Sequence, residues 1–284
     1  MLRFFAPLIA PLVGLAFVAA LLIAFAMPRD PVAPLPTASE EKGGFHKEPN
    51  DVHYSFEGPL GKYDNQQLQR GFQVYKEVCS ACHSMRLVAF RDLEGIGFSK
   101  PEVKAIAKNW ATETPSINPD TGEPATRKSL PSDFIPGPYA NETAARAANN
   151  NALPPDMSLL AKAREGGPAY IESIVTGYED VPAELKKKFP DFTVPTGLHF
   201  NPYFANLNIA MPPPLAADGQ VTYSDGTVAT KKQMATDVSA FLMWAAEPKL
   251  NQRHSLGLVV LGYLVIATLL AFGAYRNIWH GKKH

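Results

Sequence analysis

The segment Gln73-Val-Tyr-Lys-Glu-Val-Cys79-Ser-Ala-Cys82-His83 ends an apolar helical stripe in two thiols and an imidazole. Leu68, Phe72, Tyr75 and Cys79 recur at i, i+4, i+7 and i+11, and Asp64 precedes them as an N-cap, so the spacing predicts a helix over about Asn65–Val78. Cysteines at i and i+3 near a helix end present both sulfurs on one side. There they can form thioethers with two porphyrin vinyl groups while the next residue, His83, reaches the iron; Cys-x-x-Cys-His is the attachment signal of c-type haem. Three other readings use the same residues. A dithiol redox enzyme expects a βαβ context, whereas the flanks here read as helix and loop. A zinc site needs four ligands, and His46, His53, His199, His254, His280 and His284 form no second paired cluster. A structural disulfide fits the spacing but leaves His83 without a purpose. Cys79 and Cys82 are the only cysteines, so no disulfide framework braces the chain.

A haem used for electron transfer needs a sixth ligand that closes the iron, and a methionine thioether favours Fe(II). Of the seven methionines, Met1 and Met27 fall in the N-terminal run, Met85 is too near His83, and Met234 and Met243 sit at core spacing in a second helical pattern. Met211 precedes Pro212-Pro213-Pro214, whose fixed φ stiffens the backbone around the sulfur, and is favoured over Met157, which follows Pro154-Pro155-Asp156. His199 is the main competitor that is not a methionine, and bis-histidine ligation predicts a lower potential.

The 284 residues carry 27 basic and 27 acidic side chains, but unevenly. No acid precedes Asp30 or follows Glu247, and the basic residues Arg3, Arg276, Lys282 and Lys283 lie at the ends, leaving a slightly acidic middle. Zero net charge gives no reason to expect nucleic acid. Ser255–Tyr275 contains no charge, is long enough to span about 30 Å, and is followed by Trp279 and a basic cluster, so 255–275 reads as a transmembrane anchor and 276–284 as a cytoplasmic tail. Residues 1–27 read either as a signal peptide, with Ala24-Phe25-Ala26 as a small-x-small cleavage pattern, or as a second anchor, being long for a signal. Either way the stretch between lies outside the cytoplasm. The N-terminus is not an Arg- and Ser-rich presequence, which points to a bacterial inner membrane with the middle domain in the periplasm. Residues 28–50, with Pro28, Pro31, Pro34, Pro36 and then Gly43-Gly44, read as a linker, and 51–250 as the haem domain.

Further helices are expected at Met157–Arg164, Pro168–Thr176 and Lys231–Ala246, the last burying Met234, Val238, Phe241, Leu242 and Ala245. Tyr223-Ser-Asp-Gly226 reads as the turn of a small hairpin. The 26 prolines predict long ordered loops, notably 112–140 and 177–230, so the fold class is mostly α.

Several blocks in this order resemble the cytochrome c1 family, the haem-bearing subunit of quinol–cytochrome c oxidoreductase: Tyr54-Ser-Phe-Glu-Gly-Pro59, Gln69-Arg-Gly-Phe-Gln-Val-Tyr75, Cys79-Ser-Ala-Cys82-His83-Ser-Met85, Ala147-Ala-Asn-Asn150, Ala152-Leu-Pro-Pro-Asp156, Ile209-Ala-Met-Pro-Pro213 and Asp237-Val-Ser-Ala-Phe-Leu-Met-Trp-Ala-Ala-Glu-Pro248. The resemblance implies a mostly α, cytochrome c-like haem domain with long loop insertions and a C-terminal transmembrane helix. It implies one covalently bound haem c with His83 and Met211 as axial ligands, and a close approach at Gly71 of the Phe72 helix to the helix of Phe241 and Trp244. Arg164 matches a position beside a haem propionate, and Asn149, Pro155 and Tyr170 match positions around the pocket. A disulfide of some relatives is absent here, because no further cysteine exists. The implied function is one-electron transfer from a Rieske iron–sulfur protein to a cytochrome c acceptor, beside cytochrome b in the membrane. The chain would then be no enzyme by itself but a subunit of a respiratory complex. The slight acidity fits a cationic acceptor, and Gly257, Gly262 and Gly273 would allow close packing on a partner helix. A freestanding membrane cytochrome of another chain and an exported thiol–disulfide oxidoreductase are the alternatives.

Overall fold

The computed structural model describes residues 15–20, 22–23 and 45–281. The proposed cleavage site, most of the linker and the last three residues of the tail lie outside the described residues. Helices α1 (Asn65–Glu77) and α6 (Lys231–Ala246) cross at the centre. Asp64 caps α1 by accepting the Gln66 amide at 2.9 Å, and the Thr230 hydroxyl caps α6 by accepting that of Gln233 at 3.1 Å. Gly71 stands at the crossing: a β-carbon there would run into the carbonyl of Asp237 and lie 2.7 Å from Cβ of Phe241. The expected close approach is therefore present, and it demands a residue without a side chain. Phe72 and Phe241 meet edge to face at 5.6 Å, and Trp110 stands between Phe72, Tyr75 and Phe90 at 5.4–6.4 Å. Aromatic clusters of this kind add to the burial of their large apolar faces. Beside the crossing, the fully buried Asp237 carboxylate accepts Arg70 Nε at 3.0 Å and Gln233 Nε2 at 2.9 Å, so a polar pair braces the same helix junction.

Helix α4 (Gly167–Thr176) and the 3-10 turn Leu160–Lys162 pack on α6. Only that one turn stands where a helix over Met157–Arg164 was expected. Asp156, Ser158 and the backbone of Met157 spend their hydrogen bonds on the segment 84–87 instead, which prevents a continuous helix. Tyr223–Gly226 forms a turn but no hairpin; Asp225 turns inward to accept the Thr227 amide and Arg70 Nη1, both within 2.9 Å. Three short helices, α2 (Lys100–Lys108), α3 (Glu142–Ala148) and α5 (Ala183–Lys188), go beyond the expected set. So does the antiparallel ladder of β2 (Thr114–Ile117) with β3 (Pro124–Arg127) in the first long loop. The other ladders are β1 (Met85–Ala89) with β4 (Phe134–Ile135), and β5 (His199–Phe200) with β6 (Asn208–Ile209). A satellite core of Leu185, Phe192, Phe200 and Leu207 forms under the second long loop.

Helix α7 (Leu250–Trp279) has 30 residues, of which only Leu250 is buried, and an 18-residue window of mean hydropathy 2.4. It is long and apolar enough to cross a membrane. It starts five residues before the uncharged run because its first turn docks on the domain. There Asn251 Oδ1 accepts the Tyr63 amide at 3.0 Å, and His254 Nδ1 donates to the Gly61 carbonyl at 2.8 Å. Glu247 joins the same corner, bound by Arg253 and by Lys162 at 2.9 Å.

Substituting Gly71→Ala forces the two central helices apart and is expected to lower stability by about 2–3 kcal/mol, because a packed backbone contact has no side-chain freedom with which to adjust. The thermal unfolding midpoint of the detergent-solubilised chain checks this.

Candidate haem-attachment site

Helix α1 ends at Glu77 and the chain tightens at once into a 3-10 turn, Cys79–Ala81. The amides of Cys82 and His83 both donate to the Cys79 carbonyl, at 3.1 and 2.9 Å. This turn gathers Cys79, Cys82 and His83 at one end of the main core. Cys79 packs against that core while Cys82 is exposed, and the two sulfurs are not joined. Burial, with a smaller contribution from Cys82, pushes the Cys79 thiol up to about 12. Among the described residues no group of three or more His, Cys, Asp and Glu side chains is placed to hold a metal ion.

His83 is buried, and burial holds its imidazole below the ordinary histidine value, outweighing Pro155 and Asp156. Its Nδ1 stands 2.8 Å from the carbonyl of Pro155. A carbonyl only accepts, so Nδ1 carries the hydrogen and Nε2 keeps its lone pair. A neutral imidazole with one nitrogen tied back to the protein is the form that ligates a metal. Two free thiols beside such an imidazole fit the demands of a covalently attached haem.

Pro155 thus has a specific place: its carbonyl orients His83. The following residue, Asp156, was not singled out in the sequence and holds the two segments together. Its carboxylate accepts Ser84 Oγ at 2.7 Å, the Arg86 amide at 2.9 Å and the Ser158 amide at 3.0 Å. An acid directly after a proline pair, two residues before a serine, was the available signal, since such acids bond to their own following backbone. Met157 is buried in the main core, and its amide donates to Ser84 at 2.8 Å. Tyr75, a stripe residue, also donates its hydroxyl to the His83 carbonyl at 3.3 Å.

The other named residues arrive from separate loops. Met211 is half-buried two residues after β6, and its carbonyl accepts the Tyr178 hydroxyl at 2.9 Å. His199 is on the paired strand β5, edge-on to Tyr178 at 6.3 Å. Arg164 is exposed, with Nη1 3.1 Å from the Ala163 carbonyl; it lies near enough to Tyr170 to oppose the rise that burial gives that phenol. Asn149 ends α3, donating to Tyr139 Oη at 2.9 Å and to Ala145 at 2.7 Å. The structure therefore brings together Cys79, Cys82, His83 and Pro155, and separately Arg164 with Tyr170.

Burial alone would raise the Asp156 carboxyl, but hydrogen bonds from Ser158, Arg86 and Ser84 leave it below the ordinary carboxylate value. A depressed carboxyl stabilises the fold fully above about pH 4 and loses that contribution as the pH falls through its folded value. Asp156→Ala is expected to cost about 2–4 kcal/mol at neutral pH, since it orphans three donors. Asp156→Asn should cost less and flatten the acid limb of a stability-versus-pH curve measured by thermal unfolding.

The model of the Cytochrome C1 family matches residues 54–282. A cytochrome c1 of Rhodospirillum rubrum is 47% identical over 256 residues, covering 87% of this chain and 92% of that protein. A cytochrome c1 of Blastochloris viridis is 40% identical over 95% of this chain and 98% of its own length. A mitochondrial protein of Kluyveromyces lactis, named cytochrome c1, heme protein, is 44% identical over 81% of this chain and 76% of its own. With the family model and these relatives each spanning most of the sequence, the chain belongs to the cytochrome c1 family.

Proposed function

We propose that the chain is a membrane-anchored one-electron carrier that accepts electrons from a Rieske iron–sulfur protein and passes them to a cytochrome c. As a member of the cytochrome c1 family it is an electron-transfer haem subunit of the quinol–cytochrome c oxidoreductase complex and carries one covalent haem c. When bound, the haem supplies an iron that cycles between Fe(III) and Fe(II) without binding substrate. The observation that carries the reading is the bond from His83 Nδ1 to the Pro155 carbonyl, which leaves Nε2 as an open donor beside two free thiols.

In this reading Cys79 and Cys82 hold the group covalently, His83 is the proximal ligand and Met211 the distal one. Asn149, Pro155, Arg164 and Tyr170 surround it, with Arg164 pairing to a propionate through its guanidinium. Arg164 is exposed, and its Nη1 donates to the adjacent Ala163 carbonyl at 3.1 Å; a guanidinium has further N–H groups with which to take a carboxylate. Helix α7 would hold the subunit beside cytochrome b in a bacterial inner membrane, with the haem domain in the periplasm and the basic C-terminal end in the cytoplasm. The N-terminal run would serve as a signal or a second anchor.

Intact mass spectrometry of the membrane-extracted chain is expected to show one haem added, and native purification to recover cytochrome b and a Rieske subunit. Bare polypeptide with maleimide-reactive thiols would overturn the haem reading; a haem-bearing chain purified without those partners would favour a freestanding cytochrome. Met211→Leu is expected to keep the covalent haem and lower its potential by on the order of 0.1–0.3 V, part of the roughly 0.8 V range that axial ligands span. An unchanged potential transfers the ligand role to another residue, His199 being the first to test. Arg164→Ala should shift the potential by less, and redox titration of both variants measures the difference.

A further inference from the structure

We propose that Tyr178 and Gln220 are positioning residues that clamp the segment Met211–Pro214 and so hold the Met211 sulfur in register; the proposal rests on Met211 being the distal ligand. Three consecutive prolines follow Met211, and a proline has no amide hydrogen. Pro212, Pro213 and Pro214 therefore cannot donate to any neighbouring carbonyl, and this part of the loop can be held only through its own carbonyl oxygens or by packing.

Packing is thin on two sides. One cleft of about 750 Å³ is lined by Tyr178, Pro213 and Leu215 together with Glu172 and Lys232. A second of about 530 Å³ is lined by Tyr178, Pro213, His199 and Phe200. Tyr178 and Pro213 border both clefts, so the segment is a wall between two hollows. Neither cleft is lined by Cys79, Cys82 or His83.

Two side chains supply the missing bonds. The Tyr178 hydroxyl donates to the Met211 carbonyl at 2.9 Å. The Gln220 amide bridges the far end, donating through Nε2 to the Pro214 carbonyl at 2.9 Å and accepting the Ala216 amide through Oε1 at 2.8 Å. Upstream, the pairing of β5 with β6 ends at Ile209, two residues before the sulfur. The local sequence also makes room for the first tether. Gly177 lets the ring of Tyr203 pass where a β-carbon would collide, and Tyr178 follows it directly out of α4. Prolines stiffen the segment but do not choose where it sits; the two hydrogen-bonded ends do. Removing either end lets the sulfur drift from the iron and yield to a competing ligand.

The test is an imidazole titration of the oxidised, haem-loaded full chain in detergent, followed by haem absorbance. Tyr178→Phe and Gln220→Leu are each expected to keep the covalent haem and to bind imidazole roughly threefold to tenfold more tightly, the scale of one lost hydrogen bond. Met211→Leu should bind it more tightly still. Tyr63→Phe removes hydroxyl bonds to the Met243 and Glu247 carbonyls, at 3.2 and 3.1 Å, in the corner where α7 docks, and should match the parent. Parent-like affinity in both Tyr178→Phe and Gln220→Leu, with Met211→Leu tightened, overturns the clamp while leaving Met211 as ligand. Parent-like affinity in Met211→Leu overturns the ligand assignment and the clamp with it. A gain in Tyr63→Phe equal to that in Tyr178→Phe also overturns the clamp, since it signals general loosening. Should Tyr178→Phe fail to accumulate, Gln220→Leu decides alone.

Discussion

The hydrogen bond from His83 Nδ1 to the Pro155 carbonyl joins two segments 72 residues apart and sets the chemistry of the imidazole. It assigns the ring hydrogen, keeps Nε2 as an electron-pair donor, and stops the ring from turning. Asp156 reinforces it by bonding Ser84, Arg86 and Ser158, so the backbone carrying His83 and the backbone carrying its orienting carbonyl move as one body. Below them the crossing of α1 and α6 at Gly71 fixes where that body stands. The turn Cys79–Ala81 is the immediate continuation of α1, so the helix junction determines the direction in which the thiols leave the core.

The region carrying Met211 is built on a different principle. There the chain is loop-rich, braced by its own small core of Leu185, Phe192, Phe200 and Leu207, and tied to the rest by a few polar contacts. Among them, Asn50 donates its amide to Ser173 Oγ at 2.8 Å and accepts Tyr203 Oη at 2.9 Å. His83 just past a helix end and Met211 on a proline-stiffened loop are thus held in different ways.

Helix-forming segments with a strong apolar stripe were legible in advance: α1, α4 and α6 fall within a residue or so of their expected limits. Their amphipathic period carries its own packing instruction, and Asp64 marks an N-cap. Helix α2 carried an equally clear signal in Ser99-Lys-Pro-Glu102, where Ser99 and Glu102 form a capping box. The expected helix over Met157–Arg164 and the expected hairpin at Tyr223–Gly226 fail for one shared reason. Asp156 and Ser158 bond to backbone amides of β1 about 70 residues away and Asp225 to the Arg70 side chain 155 residues away, and local propensity does not register such partners.

Residue order alone determined that two cysteines and a histidine share one turn, that an uncharged run follows Arg253 and His254, and that Met211 heads a proline run. Each depends on neighbours in the chain and on side-chain chemistry that needs no fold. Only the tertiary structure decided which nitrogen of His83 is free, that Pro155 supplies a carbonyl, that Asp156 clamps the two segments, and that Tyr178 and Gln220 seize the two ends of the Met211 segment. Apart from those of Gln220, which reach only four and six residues, these are long-range hydrogen bonds. Their partners are specified by where packed helices and loops bring the backbone, and sequence spacing carries no record of that distance.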